Sequence, residues 1–192
     1  MKLILFFLVA TILLMWLKTG CATARADYAT APYTVVRKNG KFELRDYPAL
    51  VVAETPMRSA DNGFMRLFHF IGGKNAAQQK ITMTTPVFIS HADATNATMA
   101  FVMPAKLGTN GVPQPTESGV VVKQISAGRF AVFRFSGWRT EKNSVAAAAQ
   151  LTAWLGREKI SATGEPVFAY FDPPWTLPFW RRNEVMFRVA QP

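Results

Sequence analysis

The chain has 192 residues, of which 49% are apolar and 18% charged, and it carries a formal net charge of +10. That length suits one well-packed domain or two small fused halves, and the composition excludes a disordered chain and a coiled coil. A single cysteine, Cys21, excludes an internal disulfide framework and a Cys-cluster metal site, and two histidines, His69 and His91, leave little for a multi-His centre.

The chain opens with Lys2 and an apolar run from Leu3 to Leu17 in which Thr11 is the only polar residue. The run fits an export signal and falls short of the ~20 residues of a membrane span. Three readings of residues 1–21 stay open. Gly20-Cys21 is similar to the end of a bacterial lipobox, which makes Cys21 the acylated residue, although Lys18 stands where an aliphatic side chain is usual. Ala24-Arg25-Ala26 fits ordinary signal cleavage before Asp27. The run can also persist as an uncleaved anchor. All three export the domain in a bacterium, as a cell-envelope lipoprotein, a periplasmic protein or an anchored one. Loss of residues 1–21 removes Lys2 and Lys18 and no acid, which lowers the net charge from +10 to +8. Such a surface suits an anionic membrane or a carboxylate-bearing ligand. A nucleic-acid partner is not expected, because basic runs interleaved with aromatics are missing.

Residues 22–32 are small and polar, a tether to a single domain over 33–192. Tyr33 to Val36 and Lys41 to Arg45 read as strands joined through Asn39-Gly40, and Leu50 to Glu54 as a third. The period then changes. Phe64, Leu67, Phe68 and Ile71 share one face of a helix that Asp61 or Asn62 can cap and Gly72-Gly73 stops. Ile81 to Ser90 and Thr98 to Met103 alternate as strands. Residues 104–119 hold three Pro and three Gly and form a loop between halves 33–103 and 120–192. The second half repeats the order: strands at Val120 to Gln124 and Arg129 to Phe135, a helix from Lys142 to Leu155 ended by Gly156, then strands at Pro166 to Phe171 and Glu184 to Val189.

The halves also share local sequence. Leu50 and Val52 map to Phe130 and Val132 at an offset of 80, as does Thr85-Pro86-Val87-Phe88 to Glu165-Pro166-Val167-Phe168. Met99-Ala100-Phe101 maps to Val185-Met186-Phe187 at 86. Neither half can cover both faces of its own sheet, so the two share a core. The expected class is α+β: a distorted antiparallel β-barrel of two pseudo-symmetric β-α-β-β halves with two helices packed on the sheet.

Three stretches, in order, resemble the SOUL/haem-binding protein family. They are Phe42-Glu43-Leu44-Arg45-Asp46-Tyr47-Pro48 with Val51 to Thr55, Gly63 to Asn75 with Lys80 to Val87, and Asp172-Pro173-Pro174-Trp175-Thr176-Leu177-Pro178-Phe179 with Arg181 to Val185. The resemblance spans about residues 33–190. It implies the same two-unit fold and a haem or free porphyrin bound in a shallow apolar groove beside the first helix. In some members a His beside the opening Tyr ligates haem; here that position is Asp46, which puts such ligation out of reach. The first-helix position that resembles a basic, propionate-holding residue is His69.

The residues themselves suit such a ligand. A porphyrin is a flat apolar disc with two carboxylates on one edge, and it needs apolar walls with cations at the rim. The first helix offers Met65, Arg66, His69 and Phe70, followed by Lys74, as the binding segment. With the Phe64–Phe68 stripe on the sheet, the Met65–His69 stripe faces the groove. His69 is also the candidate iron ligand, against the plainer reading of a solvated rim residue. Arg181 and Arg182 are expected to pair with Glu184 or Asp172 and fix their loop, while Trp175, Phe179 and Trp180 can lid a groove or touch lipid headgroups. No phosphate loop, His-Glu-x-x-His or cysteine nucleophile is present in the body, so a binding role is expected rather than catalysis. The alternative is an envelope enzyme or sensor that takes another small apolar ligand in the same groove.

Overall fold

The computed structural model describes residues 28–57, 60–90, 97–108 and 110–190; the export segment, Cys21 and His91 lie outside them. The strands are β1 (Ala29–Thr30), β2 (Thr34–Asn39), β3 (Phe42–Tyr47), β4 (Leu50–Pro56), β5 (Thr84–Thr85), β6 (Val87–Ser90), β7 (Thr98–Val102), β8 (Val121–Ile125), β9 (Gly128–Phe135), β10 (Ala162–Tyr170) and β11 (Asn183–Val189). Two helices join them, α1 (Ala60–Ile71) and α2 (Glu141–Glu158). The class is α+β, with one nine-stranded antiparallel sheet in the order β2-β3-β9-β11-β10-β6-β7-β4-β8. A short parallel pair, β1-β5, stands beside it. The order ends at β2 and β8, so closure into the expected barrel is not part of this pairing.

The strand order carries the repeat. Exchanging β3 with β8, β4 with β9, β6 with β10 and β7 with β11 reverses the series β3-β9-β11-β10-β6-β7-β4-β8 onto itself. The first strand of each unit is thereby lent to the other, β3 to β9 and β8 to β4. The registers agree: Leu50 faces Ile125 and Phe130 faces Arg45, both partners related by the expected offset of 80. Two of the sequence matches are corrected. Val52 faces Val102 and Val132 faces Met186, so β7 maps to β11 at 84 rather than 86. Val87 faces Phe101 and Phe168 faces Val185, so β6 maps to β10 at 81 rather than 80. One residue of slip sends side chains to opposite faces. Phe88 and Phe168 accordingly lie in different core clusters despite their matching motifs.

Local chemistry explains the element ends. The β2-β3 turn is Gly40-Lys41, one residue beyond the expected Asn39-Gly40, and Gly40 alone takes the positive φ (58°) that suits a glycine in first place. The helix α1 begins at Ala60, which puts Asp61 and Asn62 inside it rather than at its cap. Gly63 makes room for the Met57 side chain just beyond β4, since a Cβ there would meet Met57 Cγ at 2.8 Å. Thr140 caps α2, its Oγ1 accepting from Asn143 N at 3.3 Å. Gly156 does not end α2; the helix runs on to Lys159, whose left-handed conformation turns the chain.

Both helices cover one face of the sheet. Leu67, Phe70 and Ile71 of α1 and Ala147, Leu151, Trp154 and Leu155 of α2 join Ala53, Phe101, Phe133 and Val185 in the larger core. The opposite face carries a second cluster, Leu50, Val52, Phe88, Val132 and Met186 among it, flanked by Tyr33 and Phe171. On that face Arg45 (2% exposed) meets Glu184 (0%) through two hydrogen bonds, Nη1 to Oε2 at 2.6 Å and Nη2 to Oε1 at 3.0 Å. Arg45 Nε also donates to Glu43 at 2.7 Å, and its guanidinium lies 4.3 Å from the Tyr33 ring centre. Arg182 Nε donates to Glu184 Oε1 at 2.9 Å, as the sequence suggested.

Two outcomes follow. Truncating Glu184 to Ala leaves Arg45 buried opposite Arg182 with Glu43 alone to balance two guanidinium groups, and urea unfolding is expected to show a loss of ~3–5 kcal/mol. Burial pushes the Tyr47 phenol up to about 12, against the lowering pull of Arg45. A phenol that titrates higher when folded contributes stability that is intact below its ordinary pKa and lost as pH rises through the folded value. Between pH 9 and 11.5 the wild type should therefore lose about 2 kcal/mol more than Tyr47→Phe in denaturant titrations.

Candidate functional site

Helix α1 divides its side chains by the 3.6-residue period. Leu67, Phe70 and Ile71 face the core, and Phe64 packs edge-on against Phe101 with ring centres 5.3 Å apart. Phe68 does not pack on the sheet as expected. It is 46% exposed, as is Met65, and it stacks outward along Phe64 at 5.9 Å. Met65 stands three and four residues before Phe68 and His69, which stand four and three before Gly72, so the four form a continuous outer stripe. The stripe runs into an open cleft of about 930 Å³ at the helix C-terminus, lined by His69, Gly72, Gly73, Lys74, Asn75, Gln78, Lys80, Thr116 and Glu117.

The cleft floor is fixed by the way the helix ends. Gly72 N–H donates to the Phe68 carbonyl at 2.9 Å and Lys74 N–H to the His69 carbonyl at 2.9 Å, with Gly73 at φ +114° between them. Asn75 is buried and uses its whole amide: Nδ2 donates to the carbonyls of Phe70 (3.0 Å) and Gln79 (2.7 Å), and Oδ1 accepts from Gln79 N–H (3.0 Å). Ala76 N–H donates to the Gln114 carbonyl at 2.9 Å, and Thr116 Oγ1 to the Lys74 carbonyl at 3.0 Å. The loop between the halves is thereby sewn to the end of α1.

Of the five residues expected to form the site, His69 and Lys74 line the cleft and Met65 stands on the stripe beside it. Arg66 turns sideways: Nη1 donates to Thr55 Oγ1 at 2.8 Å and Nε lies 4.0 Å from Glu117. Phe70 is corrected from groove wall to core, because its position falls on the buried face with Leu67. Lys80, Gln78, Thr116 and Glu117 were not assigned to the site from sequence. Lys80 was within reach, six residues beyond Lys74 in the same turn-rich stretch; Thr116 and Glu117 arrive from a distant loop that no spacing links to the helix. Asp46 is held by Arg129 in a two-bond pair (Nε to Oδ1 2.8 Å, Nη2 to Oδ2 2.9 Å), which keeps its carboxyl below its ordinary range.

A family model described as "SOUL heme-binding protein" matches residues 28–188, which takes in all of the sheet but Val189, α1 and the cleft. The chain belongs to the SOUL heme-binding protein family. Heme-binding protein 1 of the frog Xenopus tropicalis is 27% identical over 158 residues, covering 76% of this chain and 82% of that protein. Among solved structures, the EcmrR–DNA complex aligns with a TM-score of 0.58 at 17% identity, over 79% of this chain and 57% of that one. A hydrolase from Listeria innocua aligns with a TM-score of 0.57 at 12% identity, over 81% and 94%. At these identities the two structures speak for the fold alone. Within this SOUL chain the pin of the cleft is Asn75. Asn75→Ala leaves the buried Phe70 carbonyl and the part-buried Gln79 carbonyl without their donor, so a loss of ~1–3 kcal/mol is expected in thermal or urea unfolding. Hydrogen exchange over residues 72–80 and 114–117 should rise with it.

Proposed function

We propose that the protein binds a tetrapyrrole, haem or metal-free porphyrin, at the outer face of α1 and the cleft beyond it. The observation that carries this reading is the continuity of an exposed apolar stripe with a cleft bearing three basic side chains. Met65 and Phe68 offer an apolar wall for the disc, while His69, Lys74 and Lys80 stand where its carboxylates would reach. Glu117, the acid of the cleft, lies toward Arg66, which tempers its repulsion of an anion. Membership of a family described by haem binding supports the ligand class. His69 is also the candidate ligand of haem iron, as the alternative to a carboxylate contact; haem would supply its own absorbance and redox chemistry there, and the protein's residues would hold and orient it. The role is one of carrier, buffer or scavenger rather than catalyst. It operates at a bacterial cell envelope, reached through the export segment and held there by acylated Cys21 or an uncleaved anchor, or released after cleavage.

Titration of the purified protein with hemin tests this. A saturable shift in the haem absorbance band at one-to-one stoichiometry is expected, and Lys74→Ala with Lys80→Ala should weaken binding about tenfold, at up to ~1 kcal/mol per solvent-exposed ion pair. Phe68→Ser should weaken it as well. If His69 ligates iron, His69→Ala weakens hemin and leaves metal-free protoporphyrin unchanged; if it only contacts a carboxylate, both weaken. Non-saturating uptake that ignores the lysine changes would overturn the site and favour a different apolar ligand.

A further inference from the structure

The loop between β10 and β11 shows water an unusual amount of aromatic surface. Trp175 is 76% exposed and Phe179 64%, and Leu177, Trp180 and, from the neighbouring loop, Trp138 are exposed as well. Contiguous apolar surface of this kind marks an interaction site. It is also held rigid. Gly137 N–H donates to the Pro178 carbonyl at 2.8 Å and Asn183 Nδ2 to the Gly137 carbonyl at 3.0 Å, which joins the two loops. Arg181 donates to the carbonyls of Thr176 and Pro174 and lies 4.6 Å from the Trp138 ring centre. Carbonyls and a ring do not cancel its charge. Arg139 and Lys142 are exposed nearby, with Glu141 exposed between them in sequence. Asp172 accepts from Arg182 N–H at the base of the loop.

We infer that this surface docks the domain on an anionic lipid bilayer. Indole and phenyl rings favour the headgroup level, and cations beside them add attraction to acidic lipid. Charge complementarity extends beyond the patch, since the chain carries +10 overall. The covalent path agrees. Ten residues, 18–27, separate the apolar run from Tyr28, a reach of at most ~33–36 Å. Five residues further, the Tyr33 hydroxyl accepts from Arg182 Nη2 at 3.1 Å, directly beside the aromatic loop. The segment that would enter the membrane and the loop that would lie on it therefore leave the domain close together. The inference rests on the export reading of the N-terminus and is independent of the tetrapyrrole.

The full chain carrying Trp16→Phe, which silences the apolar run, mixed with vesicles of phosphatidylcholine and phosphatidylglycerol (7:3) carrying brominated acyl chains, tests it through tryptophan quenching. Trp175→Phe and Trp180→Phe together are expected to remove at least half of the quenching, while Trp154→Phe, at a core position, removes none. Arg139→Gln with Lys142→Gln, or vesicles of phosphatidylcholine alone, should reduce the loop's share at least threefold. Sedimentation with vesicles while the Trp175 and Trp180 changes leave quenching intact would overturn the docking surface and leave the N-terminal anchor standing; the loop would then be a surface for a protein partner. No sedimentation at all would overturn both.

Discussion

Two charges without access to water, Arg45 and Glu184, hold the parts of this protein together. They come from opposite ends of the chain, β3 and β11, and meet across β9. Such a pair repays its desolvation only when every hydrogen-bonding group is used. Here Glu184 takes both Arg45 and Arg182, and Arg45 adds Glu43 and the Tyr33 ring. Burial pulls the Arg45 guanidinium toward losing its proton and the Glu184 carboxylate holds it there, so the net effect keeps it charged. The pair also locks an exchange of strands. β3 belongs to the first unit but is bonded to the second, and without its partner in β11 the exchange would rest on ladder hydrogen bonds, apolar packing and the more exposed Asp46–Arg129 pair.

The same carboxylate reaches the surface by way of Arg182. That side chain stacks 3.8 Å from the Phe171 ring centre, donates to the Tyr33 hydroxyl, and its N–H donates to Asp172. The ends of the aromatic loop and the entry of the chain into the sheet are thus tied to one buried anion. A loop of three prolines and four large apolar side chains is held by its arginines, which are spent on its own carbonyls and on Glu184, with Phe179 and Trp180 packed edge to face at 4.8 Å.

Periodicity made both helices, the succession of the main strands along the chain and the twofold repeat legible in the sequence. Leu50 and Val52 with Phe130 and Val132 gave the correct offset because the strands they occupy run unbroken. The Thr85-Pro86-Val87-Phe88 match misled by one residue. The β10-β11 register shifts between Thr163 and Val167, and a local string cannot report a slip in pairing. The helix face was misassigned for a related reason. Phe64, Leu67, Phe68 and Ile71 and the alternative Gly63, Leu67, Phe70 and Ile71 are both helical stripes, and the second is the one that packs on the sheet, with Gly63 facing Met57 and Met99. The Arg45–Glu184 pair, 139 residues apart, left no sign in spacing at all.

Placing an anionic ligand at the C-terminal end of a helix runs against the helix dipole, which is negative there. The chain meets this in two ways. The carbonyls of Phe68, His69 and Phe70, which would otherwise face an incoming carboxylate, are occupied by donors from Gly72, Lys74 and Asn75. The side chains that follow, Lys74 and Lys80, then bring positive charge to the cleft beside that helix end. The apolar wall needs the opposite treatment: Met65 and Phe68 stay on the exposed side because Phe70, not Phe68, fills the core. A single rotation of the helix by one position would bury Phe68, expose Phe70 and point His69 away from Lys74. Asn75, by fixing where the helix stops and how the chain leaves it, is therefore as much a part of the site as the residues that would touch a ligand.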